Sequence, residues 1–309
     1  MKKYNVILDC DPGHDDAIAI LLAGYSEKIN LLGISVVAGN QTIDKTAQNS
    51  LNVTRFLGIN APIAVGGQMP LVRDRIICEE IHGESGLDGF VFPKYEKSYE
   101  KEYAWNFIIK KCLENEKVTI VATGPLTNVA MALKMEPKII PHIEEIVFMG
   151  GSLTNGNITP AAEFNILCDP EAAHIVLTSG IPTRMIGLNI TRKVLVTEEV
   201  ISRMEKIHNK ASNMFVQLMR VFNANQLKTF GLKAAPLHDP VTIACLIDES
   251  LCVYQDMNVE IDLSHGPSYG RTNCDLFSYL KKQANCKVAV DIDVNKFWDI
   301  VEEGIKHYE

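Results

Sequence analysis

The chain has 309 residues, a formal net charge of −8, 47% hydrophobic and 22% charged residues, and eight cysteines. This composition suits a water-soluble globular protein with a sizeable core, and the acidic balance argues against nucleic acid or an anionic membrane as the main partner. No apolar run reaches the roughly 18 residues of a membrane span, and Lys2-Lys3 leads directly into a strand pattern, so a cytoplasmic location is expected.

Val6–Leu8 is the first strand-like run, and it ends in Asp9-Cys10-Asp11-Pro12-Gly13-His14-Asp15-Asp16, with a helical stretch over His14–Tyr25. Leu31–Val37 reads as a strand, Gly39-Asn40 follows it, and Ile43–Leu57 reads as a helix. Ile63–Val65 is a further strand. The segment 66–102 breaks the pattern: it is rich in Gly, charge and scattered aromatics, and it holds His82 and the turn Gly86-Leu87-Asp88-Gly89. Long irregular segments of compact domains serve as binding loops, so a mobile lid is expected there.

The alternation then resumes with helices over Tyr103–Glu114, Thr127–Met135 and Pro170–Thr178 and strands over Val118–Ala122, Ile146–Met149 and Arg184–Ile186. Several of these strands are continuous apolar runs bounded by turn residues, as in a parallel sheet buried on both faces. The second half is more helical, over Thr197–His208, Ala211–Gln226 and Pro240–Leu246. Val253–Leu263 and Cys286–Ile292 read as late strands, and Asn295–His307 as a terminal amphipathic helix. Nothing marks a linker or an internal repeat. The pattern predicts one α/β domain over residues 1–309, with a doubly wound, mostly parallel central sheet flanked by helices. The cysteines show no CxxC spacing and several lie in apolar runs, so buried free thiols are expected.

The acidic run places four carboxylates within eight residues at a strand end. Crowded carboxylates stay ionised when a cation or strong donors compensate them, and ligands of α/β sheets bind at the carboxyl ends of strands. An EF-hand loop is excluded, because Gly13 is not at the sixth position from Asp9 and no Glu closes a twelve-residue loop. A phosphatase of the haloacid dehalogenase type would also begin with Asp9 and Asp11, but would not continue Pro-Gly-His-Asp-Asp.

The run Asp9 to Ala17 resembles the DxDPGxDDA signature of the inosine-uridine-preferring nucleoside hydrolases. Further along, Gly39-Asn40, Thr123-Gly124-Pro125-Leu126-Thr127-Asn128, Met149-Gly150-Gly151, Ala162-Glu163-Phe164-Asn165, Cys168-Asp169-Pro170-Glu171-Ala172-Ala173 and His238-Asp239-Pro240 resemble that family's other segments in the same order. The likeness is nearest to its pyrimidine-preferring bacterial members, through Ile81-His82-Gly83-Glu84-Ser85-Gly86-Leu87.

The resemblance implies hydrolysis of the N-glycosidic bond of ribonucleosides, with uridine and cytidine preferred and purine or broad specificity as the competing reading. It implies one calcium ion per subunit, held by Asp11, Asp16, Asp239 and the main-chain carbonyl of Thr123, so that the backbone position of Thr123 matters more than its side chain. Asp11 would also take a proton from the attacking water. Asp15, Asn40, Asn157, Glu163 and Asn165 would hold the ribose. His238 and His82 would meet the leaving base, and Gln226 and Phe230, four apart on a helical segment over 211–231, would cover it. Pyrimidine-preferring relatives carry a Tyr where this chain has Phe230, so a hydroxyl is missing there. A homotetramer is implied, with a homodimer next.

Other readings stand beside these. Asp239 before Pro240 also reads as a helix N-cap with proline at the first position. Glu163 and Asn165 could be ordinary loop residues, His14 a helix-start residue without chemistry, and Asp9 a support for the metal ligands. Outside the class, a metal-dependent phosphatase or a non-catalytic nucleoside-binding protein are the alternatives.

Overall fold

Apolar strands flanked by amphipathic helices can bury both sheet faces only by layering, and the computed structural model, which describes residues 2–308, shows that arrangement. The first half contains β1 (Tyr4–Cys10), α1 (His14–Tyr25), β2 (Ile29–Val36), α2 (Ile43–Leu57), β3 (Ile63–Val65), α3 (Glu79–His82), α4 (Ala104–Glu114), β4 (Val118–Ala122), α5 (Thr127–Met135) and β5 (Ile143–Met149). Next come α6 (Phe164–Cys168), α7 (Pro170–Leu177), β6 (Thr183–Ile186), α8 (Leu188–Thr191), α9 (Glu198–Glu205), α10 (Lys210–Phe230) and α11 (Pro240–Ile247). The chain closes with β7 (Cys252–Met257), β8 (Val259–Ile261), β9 (Thr272–Cys274), β10 (Cys286–Ile292) and α12 (Val294–His307).

Eight strands form one sheet in the order β3-β2-β1-β4-β5-β6-β10-β7, parallel except for β7, which runs antiparallel to β10. Two buried apolar clusters cover its faces. One joins the sheet to α1, α2, α10, α11 and α12, and the other joins it to α4, α5 and α7. Leu8 and Ile7 alternate between these two clusters, as the two-residue period of a strand requires.

The expected strand over Val253–Leu263 is two elements. β7 closes the edge of the main sheet, and β8 pairs instead with β9 in a separate two-stranded sheet. The break falls at Asn258, whose carbonyl accepts the Asp275 N–H at 2.8 Å. Periodicity cannot show that a chain changes sheets, because both halves keep a strand's alternation. The helix expected over Ala211–Gln226 runs from Lys210 to Phe230; the Asn209 side chain caps it by accepting the Ser212 N–H, and Gly231 ends it at a left-handed φ of 71°. The segment 66–102 contains one short helix, α3, and α3, α6 and α8 are each too brief for a periodic signal.

The strand order decides where ligands can sit. The chain leaves β1 outward through β2 and β3, then returns on the other side of β1 as β4, which opens a crevice over the carboxyl ends of β1 and β4. The ladders run up to its rim: Cys10 carbonyl accepts the Val37 N–H at 3.0 Å, and Asp9 carbonyl accepts the Thr123 N–H at 2.8 Å. Asp11, Asn40 and Thr123 are brought together by this pairing.

Leu8, fully buried at the centre of β1, tests how far the sheet governs stability. Leu8→Ala should cost about 2–5 kcal/mol, read as a lower urea midpoint with an unchanged slope; a loss below about 1 kcal/mol would contradict the packing.

Candidate active site

The first turn of α1 carries Asp15 and Asp16, where free N–H groups and the helix dipole favour negative charge. Asp16 Oδ2 accepts the Gly13 N–H at 3.0 Å and Asn40 Nδ2–H at 3.1 Å, and Asp16 Oδ1 accepts the Thr123 hydroxyl at 2.7 Å. Asn40 also donates its backbone N–H to Asp11 Oδ2 at 2.6 Å and its Nδ2–H to the Asp11 carbonyl at 3.2 Å. Thr123 was expected to matter more for its backbone position than for its side chain; its hydroxyl also orients Asp16. A side chain at Gly39 would run into Asp11 Oδ2, which explains the glycine beside Asn40.

Asp239 arrives from the start of α11, more than 200 residues later. It holds the N-cap position with Pro240 next, as expected, but its own backbone is helical, at φ −64° and ψ −41°, and its carboxylate makes no capping bond. Oxygens of Asp15, Asp16 and Asp239 all lie within 4.8 Å of one another. Two of these are expected metal ligands, while Asp15 was expected on the ribose. Asp11 falls outside this group but is tied to it through Asn40. Asp11 Oδ1 and Asp15 Oδ1 are buried without any hydrogen-bond partner.

Burial drives every carboxyl here upward. Asp15 is pushed up to about 7, with the charge of Asp16 adding to the effect. Asp11 and Asp239 are held well above the usual carboxylate range by burial and by their acidic neighbours, and Asp16 is raised by burial. Among the described residues lining the cavity above them, none is Lys or Arg. Bare, buried, mutually repelling oxygens form a donor set for a hard divalent cation. The carbonyl of Thr123 adds a neutral oxygen to that set.

Asp9 lies beneath as a support. It is fully buried, accepts from the Ser35 hydroxyl and from Asn128 Nδ2 at 2.9 Å, and burial pushes it up to about 7. Asn128 also donates to the Val36 carbonyl at 3.0 Å, joining β2 to β1.

Glu163 and Asn165 prove to be more than loop residues. Glu163 caps α6: Oε1 accepts the Asn165 N–H at 2.9 Å, and Oε2 accepts the N–H groups of Gly151 and Ile166 at 3.0 and 3.1 Å. Burial nonetheless pushes Glu163 up to about 7. Asn165 Nδ2 donates to the Thr123 carbonyl at 2.7 Å, so it steadies the backbone oxygen expected on the metal. Asn157 Oδ1 accepts the Phe164 N–H at 2.9 Å. All three line the same cavity as Asp15, Asn40 and Asp239.

His82 and His238 face that cavity from another side. α3 is fastened to α10 by Asn225 Nδ2, which donates to the Ile81 carbonyl at 3.0 Å. Gln41 Nε2 holds the Gly83 and Glu84 carbonyls at 3.2 and 3.1 Å, so the segment expected as a lid is tied to the scaffold at this point. A Cβ on Gly13 would come within 2.5 Å of His82 Nδ1, so this glycine permits the histidine to approach the acidic turn. His238 Nδ1 pairs with the Thr191 hydroxyl at 2.7 Å. Burial depresses His82 well below the usual range and lowers His238 to about 3, so both imidazoles are neutral. Gln226 and Phe230 also line the cavity, with Phe222 completing the i, i+4 row on α10. Phe222 and Thr191 were not anticipated; the row of spacing four was the one signal that could have shown Phe222. Neither Trp105 nor Trp298 lines the cavity.

The cavity thus places unpaired carboxylates below, amide and carboxylate oxygens around, and neutral ring nitrogens opposite. Such a site suits a neutral polyhydroxylated ligand carrying a group to be displaced.

Comparison with known proteins agrees with this geometry. Residues 6–299 match the family described as inosine-uridine preferring nucleoside hydrolase. The chain is 47% identical over 309 residues to the pyrimidine-specific ribonucleoside hydrolase RihB of Shigella sonnei, covering 100% of this chain and 99% of the relative. The RihB of Escherichia fergusonii matches at the same 47% over the same share of each chain. Among solved structures, a purine-preferring ribonucleoside hydrolase from Gardnerella vaginalis superposes with a TM-score of 0.91 at 32% identity, covering 98% of this chain and 99% of that one. An inosine-guanosine nucleoside hydrolase gives a TM-score of 0.90 at 27% identity over 99% of each chain.

Two outcomes are expected from the site's electrostatics. Carboxyls whose native pKa is raised bind more protons folded than unfolded between about 4 and about 7, as Asp9, Asp15 and Glu163 do. Metal-free protein should therefore lose stability as pH rises through that window, and calcium should restore more of it at pH 8 than at pH 5. Melting curves that rise with pH in chelator would contradict the assignment. Thr123→Val, which removes the hydroxyl on Asp16 while keeping the carbonyl, should weaken calcium binding by about tenfold in calorimetry.

Proposed function

The chain belongs to the inosine-uridine preferring nucleoside hydrolase family and is a ribonucleoside hydrolase, and from that premise we propose that it acts on pyrimidine ribonucleosides, uridine and cytidine, in a calcium-dependent reaction. The observation that carries this reading is the group of crowded, buried carboxylates at the β1–β4 crevice, with Asp11 Oδ1 and Asp15 Oδ1 lacking any hydrogen-bond partner, facing two neutral imidazoles across one cavity. Identity of 47% along the whole chain to enzymes named pyrimidine-specific supports the base preference over the purine alternative.

The residues divide the work by their chemistry. Asp11, Asp16, Asp239 and the Thr123 carbonyl hold the cation, with Asp15 close enough to share in it. When bound, calcium supplies a water of lowered pKa. Asp11, whose Oδ1 has no other partner, takes the proton of the attacking water. Asp15, Asn40, Asn157, Glu163 and Asn165 hold the ribose hydroxyls, and their oxygens stabilise the positive charge that develops on the sugar as the base departs. Direct attack by water gives inversion at the anomeric carbon.

The base leaves toward His82 and His238, which as neutral imidazoles offer ring N–H groups as hydrogen-bond donors. Phe222, Gln226 and Phe230 wall it in, and Phe230 adds no hydroxyl. The proposal includes a homotetramer, which rests on the family resemblance and is read from the mass in solution.

A panel of ribonucleosides and 2′-deoxyribonucleosides, assayed with and without chelator, tests the reading. Uridine and cytidine should be cleaved at least about tenfold faster than inosine, chelator should abolish turnover, and 2′-deoxyuridine should not react. Faster turnover of inosine overturns the base preference. Phosphate release from nucleotides without base release from nucleosides would select the phosphatase alternative. Asp11→Ala should lower kcat by roughly 10²–10⁴-fold, and near-normal turnover in a folded, calcium-loaded variant removes Asp11 from its role.

A further inference from the structure

His14, the first residue of α1, has a fully buried side chain that the reaction outlined above leaves unused. Its ring nitrogens are both engaged. Nε2 stands 2.8 Å from the carbonyl oxygen of Asp88, and Nδ1 stands 3.3 Å from Nδ1 of His82. The backbone N–H of the same residue points to His82 Nδ1 at 3.2 Å. His14, His82 and Phe222 also stack, with ring centroids 5.2 to 5.5 Å apart and interplanar angles of 9° to 27°.

A carbonyl can only accept, so Asp88 assigns the proton of neutral His14 to Nε2 and leaves a lone pair on its Nδ1. Asp88 is itself held: its carboxylate accepts the N–H groups of Glu84 and Ser85, both at 3.0 Å. The acceptor that orients His14 therefore sits on a braced turn. His82 then meets two groups of one residue. If His82 carries its proton on Nδ1, it donates to the His14 Nδ1 lone pair. If the proton is on Nε2, the His82 Nδ1 lone pair accepts the His14 backbone N–H. Donation to a leaving base requires the Nε2–H tautomer, in which the His14 backbone N–H anchors His82 Nδ1 and the His14 ring acts through the stack.

We propose that His14 is a positioning residue for leaving-group activation: its ring, held by the Asp88 carbonyl, stacks on His82 and Phe222, and its backbone N–H holds His82 Nδ1, so that His82 Nε2 meets the departing base. The aromatic stack sets the plane of the His82 ring, and the backbone N–H sets its rotation. The inference rests on the proposed role of His82, and it assigns to the histidine of the acidic run a task separate from that of its neighbours Asp15 and Asp16.

The test compares uridine with p-nitrophenyl β-D-ribofuranoside, whose nitrophenolate leaves without help from a hydrogen-bond donor. His14→Phe keeps an aromatic ring but removes its bond to the Asp88 carbonyl, the contact that holds the ring in place. It should lower the ratio of uridine to nitrophenyl riboside turnover by on the order of 10²-fold, mainly in kcat, with the KM for uridine nearly unchanged. His82→Ala should lower the same ratio. An equal loss of both substrates in His14→Phe would show that His14 only supports the carboxylates beside it, and an unchanged ratio would show that it does nothing for the base; either overturns the proposal. If His82→Ala leaves the ratio unchanged, the proposed role of His82 fails as well, whereas a fall in His82→Ala alone sinks only the inference about His14. Should His14→Phe not fold, His14→Gln, which keeps a donor for the Asp88 carbonyl but lacks the stacked ring, is read by the same ratio and the same criteria.

Discussion

Four acidic side chains that cannot all be ionised together without help stand at the centre of this molecule. Asp11, Asp15, Asp16 and Asp239 are buried, mutually repelling and raised in pKa. Backbone donors at Gly13 and Asn40 and the hydroxyl of Thr123 compensate part of that charge. The remainder is left for a cation, because an uncompensated buried charge is too costly for the fold to keep. The site therefore stores a demand for a divalent ion in the form of unsatisfied oxygens.

The sheet makes this concentration possible. Parallel strands all end on the same edge, and the reversal of strand order between β1 and β4 separates the outgoing loops there. A short connection after each of β1, β2 and β4 then delivers Asp11, Asn40 and Thr123 to the same crevice. The ladder bonds of Val37 and Thr123 hold these loops in register with the strand that carries the acids.

Many polar residues around the crevice serve two purposes. Glu163 caps a five-residue helix and lines the cavity, and Asn165 steadies a carbonyl while lining the same cavity. Asn40 braces two carboxylates and lines that cavity as well. This economy gives a site with little slack: Asn40, Asn157, Glu163 and Asn165 are each anchored to the scaffold by at least one bond, so their orientation is settled before a ligand arrives. The histidine cover follows the same rule, with His82 held through α3, α10 and His14.

Much of this was legible in the residues themselves. The alternation of apolar runs and helical periods defined the doubly wound sheet, because strand and helix periods are local properties of the chain. The acidic run marked a crowd of carboxylates at a strand end for an equally local reason, and the order of the matching segments named the family. The rest depended on long-range pairing. Whether the Asp239 carboxylate caps its own helix or faces Asp15 and Asp16 was undecidable until its helical backbone and their nearness were known. The work of the Thr123 hydroxyl, the approach of Phe222 to His14, the bond from Thr191 to His238 and the engagement of His14 with Asp88 join residues far apart in the chain. The split of Val253–Leu263 into two sheets was hidden for the same reason. Sequence determined which groups are present and which local structures they enter. Only the tertiary structure decided which of them touch, since contact distance and shared burial depend on how distant segments pack.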